Sequence, residues 1–178
     1  VNSQRTRRPR PPLDEEGLER LALAYAGRYG TTRAKLAAYL ERKLRERGWA
    51  GGGEAPVEPI VQRFSALGYV DDRAFAAARA GALLRRGYGE RRVDEALRAA
   101  GIEAPDGEAA RREARDDALA AALRYAARRG LGPYAPEPME RPARDKAAAA
   151  MLRAGHRGEI VRRIVNALPG EVPDPDSF

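Results

Sequence analysis

The chain has 178 residues, no cysteine and one histidine, and 33 Lys+Arg stand against 26 Asp+Glu for a net charge of +7. Without cysteine there is no disulfide framework, no thiolate metal site and no Cys nucleophile, and a lone His156 excludes a His-pair metal site. No apolar run approaches the ~18–20 residues of a membrane span and no signal peptide opens the chain, so a soluble cytoplasmic protein is expected.

Residues 1–13 hold Arg5, Arg7, Arg8 and Arg10 among Pro9, Pro11 and Pro12 and show no periodicity. This composition predicts a disordered basic arm. From there to residue 168 everything reads helical, because Ala, Leu, Arg and Glu dominate and runs of β-branched residues are missing. Leu18, Leu21, Ala22, Tyr25 and Tyr29 share one face of a first helix, and Leu36, Leu40 and Leu44 one face of a second. Ile60, Val61, Phe64 and Leu67 mark a third helix, Phe75, Ala78, Ala82 and Leu83 a fourth, and Val93, Ala96, Leu97 and Ala100 a fifth. Ile160, Val161, Ile164, Val165 and Leu168 line the last, and the Pro- and acid-rich residues 169–178 predict a disordered acidic tail.

Helix stops carry more information than the faces. A helix often ends with Gly at C′, while an apolar residue at C″ folds back onto C3. Gly48–Trp49, Gly68–Tyr69, Gly101–Ile102 and Gly155–His156 fit this pattern. Gly48, Gly101 and Gly155 lie 53 and 54 residues apart, an internal repeat found by stop signals rather than by identity. Starts agree with the stops. Thr32 caps a helix, Asp71 caps another with Val70 and Phe75 as a hydrophobic staple, and Gly89 caps a third with Tyr88 and Val93. A period of about 50 residues with about three helices per unit predicts a short α-solenoid, in which no unit buries its apolar face alone. The units are residues 14–70, 71–117 and 118–168.

The run Gly68-Tyr69-Val70-Asp71-Asp72-Arg73-Ala74-Phe75, then Arg79, then Arg85-Arg86-Gly87-Tyr88-Gly89-Glu90-Arg91-Arg92-Val93, resembles the RecX family, regulators of the RecA recombinase. The match is dense over residues 68–102, fair over 18–67 and loose over 119–168. The resemblance implies an all-α protein of three tandem three-helix repeats in an elongated, curved array. It implies RecA as partner, and a place in the helical groove of the RecA–single-strand DNA filament. It also implies that filament growth, ATP hydrolysis, strand exchange and co-protease activity toward the SOS repressor are modulated, usually inhibited. The sequence departs from the family pattern at Lys35, where a capping-box Glu is expected. It departs again at the third-repeat end Arg153-Ala154-Gly155-His156, and in the Pro-rich stretch from Gly130 to Pro142.

Within the motif, Gly68, Tyr69, Asp71, Asp72, Phe75, Gly87 and Gly89 read mainly as structural. Asp71 and Asp72 sit where a helix dipole stabilises acids, and a catalytic or metal role is not needed to explain them. The basic stretches are the binding candidates. The second helix carries Arg33, Lys35, Arg42, Lys43, Arg45 and Arg47 against Glu41 and Glu46. Arg79, Arg85, Arg86, Arg91, Arg92 and Arg98 outnumber Glu90, Asp94 and Glu95 in the second repeat. Candidate partner- or DNA-binding residues are therefore Arg33, Lys35, Arg42, Lys43, Arg79, Arg85, Arg86, Tyr88, Arg91 and Arg92. Two plainer readings stand beside this one. Arginine excess over lysine can reflect a GC-rich coding genome, and a charged helix exterior with pairs such as Asp94–Arg98 needs no partner. Tyr88 reads as a staple or as a stacking residue, Trp49 as a helix-end contact and His156 as a surface cap. Glycines 51–53 are not a phosphate cradle, because no Lys-Ser/Thr follows them.

No enzyme constellation and no cofactor site emerge. The expected protein is a monomer that modulates the RecA filament, with no membrane contact. A free-standing helix-turn-helix DNA reader is the alternative. It would concentrate base-contacting Asn, Gln, Arg or Ser on one recognition helix, whereas the only glutamines and asparagines, Gln4, Gln62, Asn2 and Asn166, join no basic helix.

Overall fold

The computed structural model describes residues 11–174, so residues 1–10 of the expected arm and 175–178 of the expected tail lie outside the described residues. Among the described residues there are nine α-helices, one short 3-10 turn and no strand. The helices are α1 (Glu15–Arg28), α2 (Arg33–Arg47), α3 (Val57–Ala66), α4 (Asp72–Arg85), α5 (Glu90–Ala99), α6 (Ala104–Asp116), α7 (Ala118–Arg129), α8 (Arg141–Arg153) and α9 (Gly158–Asn166). The 3-10 turn, Gly132–Tyr134, lies in the Pro-rich stretch after α7. None of these helices is long and apolar enough to cross a membrane. The chain divides into two compact units, the first ending at Asp72 and the second beginning at Arg73.

In the first unit, Leu18 and Ala22 of α1, Leu36 and Leu40 of α2, and Ile60, Val61 and Phe64 of α3 bury one cluster together with Leu13 and Val70. Each fully buried leucine or isoleucine contributes roughly 1.5–3 kcal/mol. The expected face of α3 is one residue too long, since Leu67 is largely exposed. Leu13, expected in the disordered arm, is packed in the core. Its backbone N–H donates to the Gly48 carbonyl at 3.0 Å and its carbonyl accepts from Ala50 N at 2.8 Å. Prolines on its N-terminal side hid a leucine whose burial fixes the chain. Thr32 caps α2 by accepting from Lys35 N.

The second unit holds two clusters. One is built from α4, α5 and α6, and six of its eleven buried residues are alanine, so these helices pack closely with little side chain between them. The other is built from α7, α8 and α9 around Met151, Ile160, Val161 and Ile164. Ala121 of α7 is buried in the first of these, while Ala122 and Tyr125 belong to the second. Helix α7 therefore serves both cores. The buried face of α4 is Ala76, Ala80, Leu83 and Leu84; of the expected Phe75, Ala78, Ala82 and Leu83, Leu83 is buried and Phe75 packs partly buried against the cluster, while Ala78 is exposed. Alanine on every side of α4 removes the period by which a face is read.

Helix ends follow the glycine pattern with one exception and two additions. At Gly68, Gly101 and Gly155 the C″ N–H bonds to the C3 carbonyl: Tyr69 to Phe64 at 2.9 Å, Ile102 to Leu97 at 3.0 Å and His156 to Met151 at 3.2 Å. Gly87 and Gly130 make the same motif through Tyr88 to Leu83 and Leu131 to Ala126, each at 3.0 Å. Gly48 does not. Its N–H bonds back to Leu44 O, and Trp49 turns away to bridge Leu13. The residues after α9 are partly anchored as well, since Gly170 N donates to Pro133 O at 2.8 Å.

Candidate functional site

Asp72 is the buried acid of the first unit. Its side chain is 4% exposed. One oxygen accepts from the Arg33 backbone N–H at 2.9 Å and the other from Arg33 Nε at 3.2 Å. Arg33 opens α2, so the carboxylate satisfies a donor that the helix start leaves unpaired. Arg33, a binding candidate by sequence, is thus engaged in holding the fold. Asp71 stands in the N-cap position of α4, and Tyr69 tilts against Phe64 with ring centroids 5.4 Å apart. Val70 packs in the first cluster and Phe75 against the second. Arg42 and Lys43 both pair with Glu46, and both cations lie over the Tyr39 ring. Lys35 is exposed on the first turn of α2.

In the second unit the glycines of the motif serve close approach. Gly89, the N-cap of α5, has φ −83°, a value any residue adopts. Its N–H donates to Ala154 O at 3.0 Å, and Arg91 N donates to Gly155 O at 3.2 Å. A Cβ on Gly89 would collide with the Gly155 carbonyl, and one on Gly87 would lie 2.8 Å from Tyr125 N. The α4–α5 turn and the α8–α9 turn therefore meet backbone to backbone.

His156 locks this junction. It is 2% exposed, so it is not the surface cap that the sequence suggested. Its Nε2 lies 3.0 Å from Gly87 O, and its ring meets Tyr125 edge-on with centroids 5.5 Å apart. Burial lowers its pKa below the ordinary value, against the smaller opposite effect of the Gly87 carbonyl. The neutral ring with its proton on Nε2 satisfies that carbonyl.

The basic candidates of the second unit separate into three places. Arg79 is exposed along α4, and Arg91 and Arg92 are exposed at the start of α5, where Arg92 pairs with Glu95 at 3.2 Å. Arg85 lines an open depression shared with Arg112, Arg124, Glu113, Asp116 and Asp117, whose charges are mixed. Arg86 and Tyr88 line a recess of about 230 Å³ with Tyr125, Arg128 and Arg129. Those last three were not among the sequence candidates. A signal for them exists: α4 and α7 both end in Arg-Arg-Gly, at Arg85-Arg86-Gly87 and Arg128-Arg129-Gly130. The end of α7 thus repeats the Arg-Arg-Gly of α4, while the α8 end Arg153-Ala154-Gly155-His156 shares its glycine stop, with His156 N–H on Met151 O as Tyr88 N–H is on Leu83 O. Among the described residues, no group of three or more His, Asp or Glu side chains could hold a metal ion.

Among the described residues the chain is all-helical, with arginine-bearing helix ends on a glycine-tight scaffold. Comparisons with known proteins narrow the class. No family model matches. The chain is 40% identical over 109 residues to the regulatory protein RecX of Thermus thermophilus, covering 58% of this chain and 70% of that protein. It is 29% identical over 163 residues to the regulatory protein RecX of Myxococcus xanthus, covering 85% and 86%. The crystal structure of RecX from Lactobacillus salivarius superposes with a TM-score of 0.63 at 18% identity, over 85% of this chain and 94% of that one, a likeness of fold. The chain belongs to the RecX family of regulatory proteins.

Proposed function

We propose that this chain regulates the RecA recombinase by binding in the groove of the RecA–single-strand DNA filament. Binding limits filament growth, ATP hydrolysis, strand exchange and the co-protease activity that drives the SOS response. Membership of the RecX family carries this reading, through 40% identity over 70% of a regulatory relative. The arrangement of charge supports it. Arg79, Arg85, Arg86, Arg91 and Arg92 all stand exposed at the surface of the second unit, beside the motif that carries the resemblance. A net positive field steers the protein to an anionic filament, and the resulting binding is salt-sensitive.

Three tandem units, residues 14–70, 71–117 and 118–168, each contribute weak contacts. Linked weak contacts add through effective concentration when neighbouring protomers present the same surface repeatedly. The protein acts as a monomer, stoichiometrically along the filament and without a cofactor of its own. Nucleotide and magnesium belong to the recombinase.

Co-sedimentation with preformed cognate RecA–single-strand DNA filaments tests the reading. The parent protein is expected to pellet with filaments at moderate salt. The Arg85→Glu, Arg92→Glu double variant is expected to bind at least about tenfold more weakly with its helical content intact, the scale of losing charge contacts to an anionic surface. A parent that stays in the supernatant refutes the filament reading. Equal pelleting of parent and variant rejects this patch.

A further inference from the structure

The recess between the α4–α5 turn and the last turn of α7 is lined by Arg86, Tyr88, Tyr125, Arg128 and Arg129 and by no acid. Among the described residues, none of its three guanidinium groups is in an ion pair. Each is instead held by a neighbour that leaves its charge uncompensated. Arg86 lies over the Tyr88 ring, 5.4 Å from its centroid, and Arg129 over the Tyr125 ring at 4.8 Å. Arg128 Nη1 donates to the Arg86 carbonyl at 2.9 Å. One wall is anchored in the core. Tyr125 is buried and backed by the His156 ring, and its hydroxyl reaches Ala150 O at 3.4 Å. His156 in turn grips Gly87, the residue between Arg86 and Tyr88. Three like charges are thus gathered beside one another with no acid in the lining, a place an anion would complete.

Size and chemistry narrow the anion. The recess is smaller than the roughly 300–1,000 Å³ of ordinary small-molecule sites, so it suits a single anionic group. Guanidinium planes match the oxygens of phosphate, and arginine rather than lysine is the residue for such forked contacts. The recess also offers flat surfaces, since Tyr88 is half-exposed and arginine planes themselves stack on bases. A nucleic-acid strand presents both a phosphate and an adjoining base, whereas an acidic peptide would use the charge alone.

We propose that this recess is a phosphate-binding site for a backbone phosphate of single-stranded nucleic acid, with an adjacent base stacked at Tyr88. Arg86, Arg128 and Arg129 share the phosphate. The site belongs to the protein itself and operates without any recombinase, so it stands or falls separately from the filament reading.

The experiment is fluorescence anisotropy of a labelled oligothymidylate with the full chain alone, across a salt series. Arg86→Ala combined with Arg129→Ala leaves the Arg128–Arg86 carbonyl bond in place. It is expected to weaken binding at least about tenfold and to reduce the slope of log affinity against log salt by about one or more. Tyr88→Leu keeps the apolar packing, and it is expected to weaken binding severalfold with the salt slope unchanged. Arg20→Ala on α1, in the first unit and outside the recess, serves as the control and leaves affinity as it was. Melting temperatures of all variants are measured in parallel. Inorganic phosphate and poly-glutamate are added as competitors, to separate free phosphate and acidic peptide from a strand. Variants that fold and bind the oligonucleotide within twofold of the parent overturn the proposal. So does poly-glutamate binding that the variants lose while oligonucleotide binding persists, because the recess would then be a peptide site. Displacement of the oligonucleotide by inorganic phosphate alone at low concentration also overturns it, in favour of a free-phosphate site.

Discussion

At the scale of single residues, buried His156 holds Gly87 and backs Tyr125, and a gap separates that role from what its residue type announces. A histidine after a helix-stopping glycine reads as a surface cap, yet a partner 69 residues away closes over it. The consequence is testable through pH. Burial holds the folded pKa of His156 below its ordinary value, so the unfolded chain takes up a proton first as pH falls. The stability linked to neutral His156 is complete above about pH 6.5 and is lost as pH drops from there through the folded value. Thermal melts between about pH 8 and pH 5 should therefore show a fall in Tm that is smaller in His156→Gln, which cannot titrate. An unchanged pH slope in that variant would remove His156 from the account. His156→Ala is expected to cost about 2–4 kcal/mol at neutral pH, from the cavity and the orphaned Gly87 carbonyl together. Arg33 shows the same gap from the other side. By sequence it is one more cation on a basic helix, and only the fold reveals Asp72 beneath it.

At the scale of elements, two glycines separate two physical reasons for glycine. Gly68 has φ +76° and open space where a Cβ would stand. Gly68→Ala should therefore cost about 1–2 kcal/mol, all of it backbone conformation. Gly89 has an ordinary φ but no space, so Gly89→Ala should cost about 1–3 kcal/mol through overpacking against the α8–α9 turn. Urea unfolding measures both. A neutral Gly89→Ala would mean that the two turns do not meet as described. Helix stops were the most legible elements, because the stop motif is local: a glycine, an apolar neighbour and one residue five positions back. Gly68, Gly101 and Gly155 follow it. Gly48 escaped it because Leu13, outside the local window, draws Trp49 away. The face of α4 was illegible because alanine surrounds it. The recess was half legible. Arg86 and Tyr88 stood in the motif, but Tyr125, Arg128 and Arg129 come from α7, and only the repeated Arg-Arg-Gly ending pointed there.

At the scale of the molecule, the net charge of +7 was ambiguous, since composition bias and partner binding give the same total. The structure sorts the charge by position. Arg20, Arg42, Arg45 and Arg98 pair with carboxylates one helical turn away, the pattern of a solvated exterior worth a few tenths of a kcal/mol each. Arg86, Arg128 and Arg129 do not, and they gather in one recess. Regulation of the recombinase filament is the central claim, and the single-strand-DNA-dependent ATPase of cognate RecA, titrated with this protein, tests it most directly. The expected result is a fall in ATP hydrolysis at less than one molecule per RecA protomer, weakening as salt is raised. An ATPase rate that stays constant at every ratio up to one per protomer would contradict it.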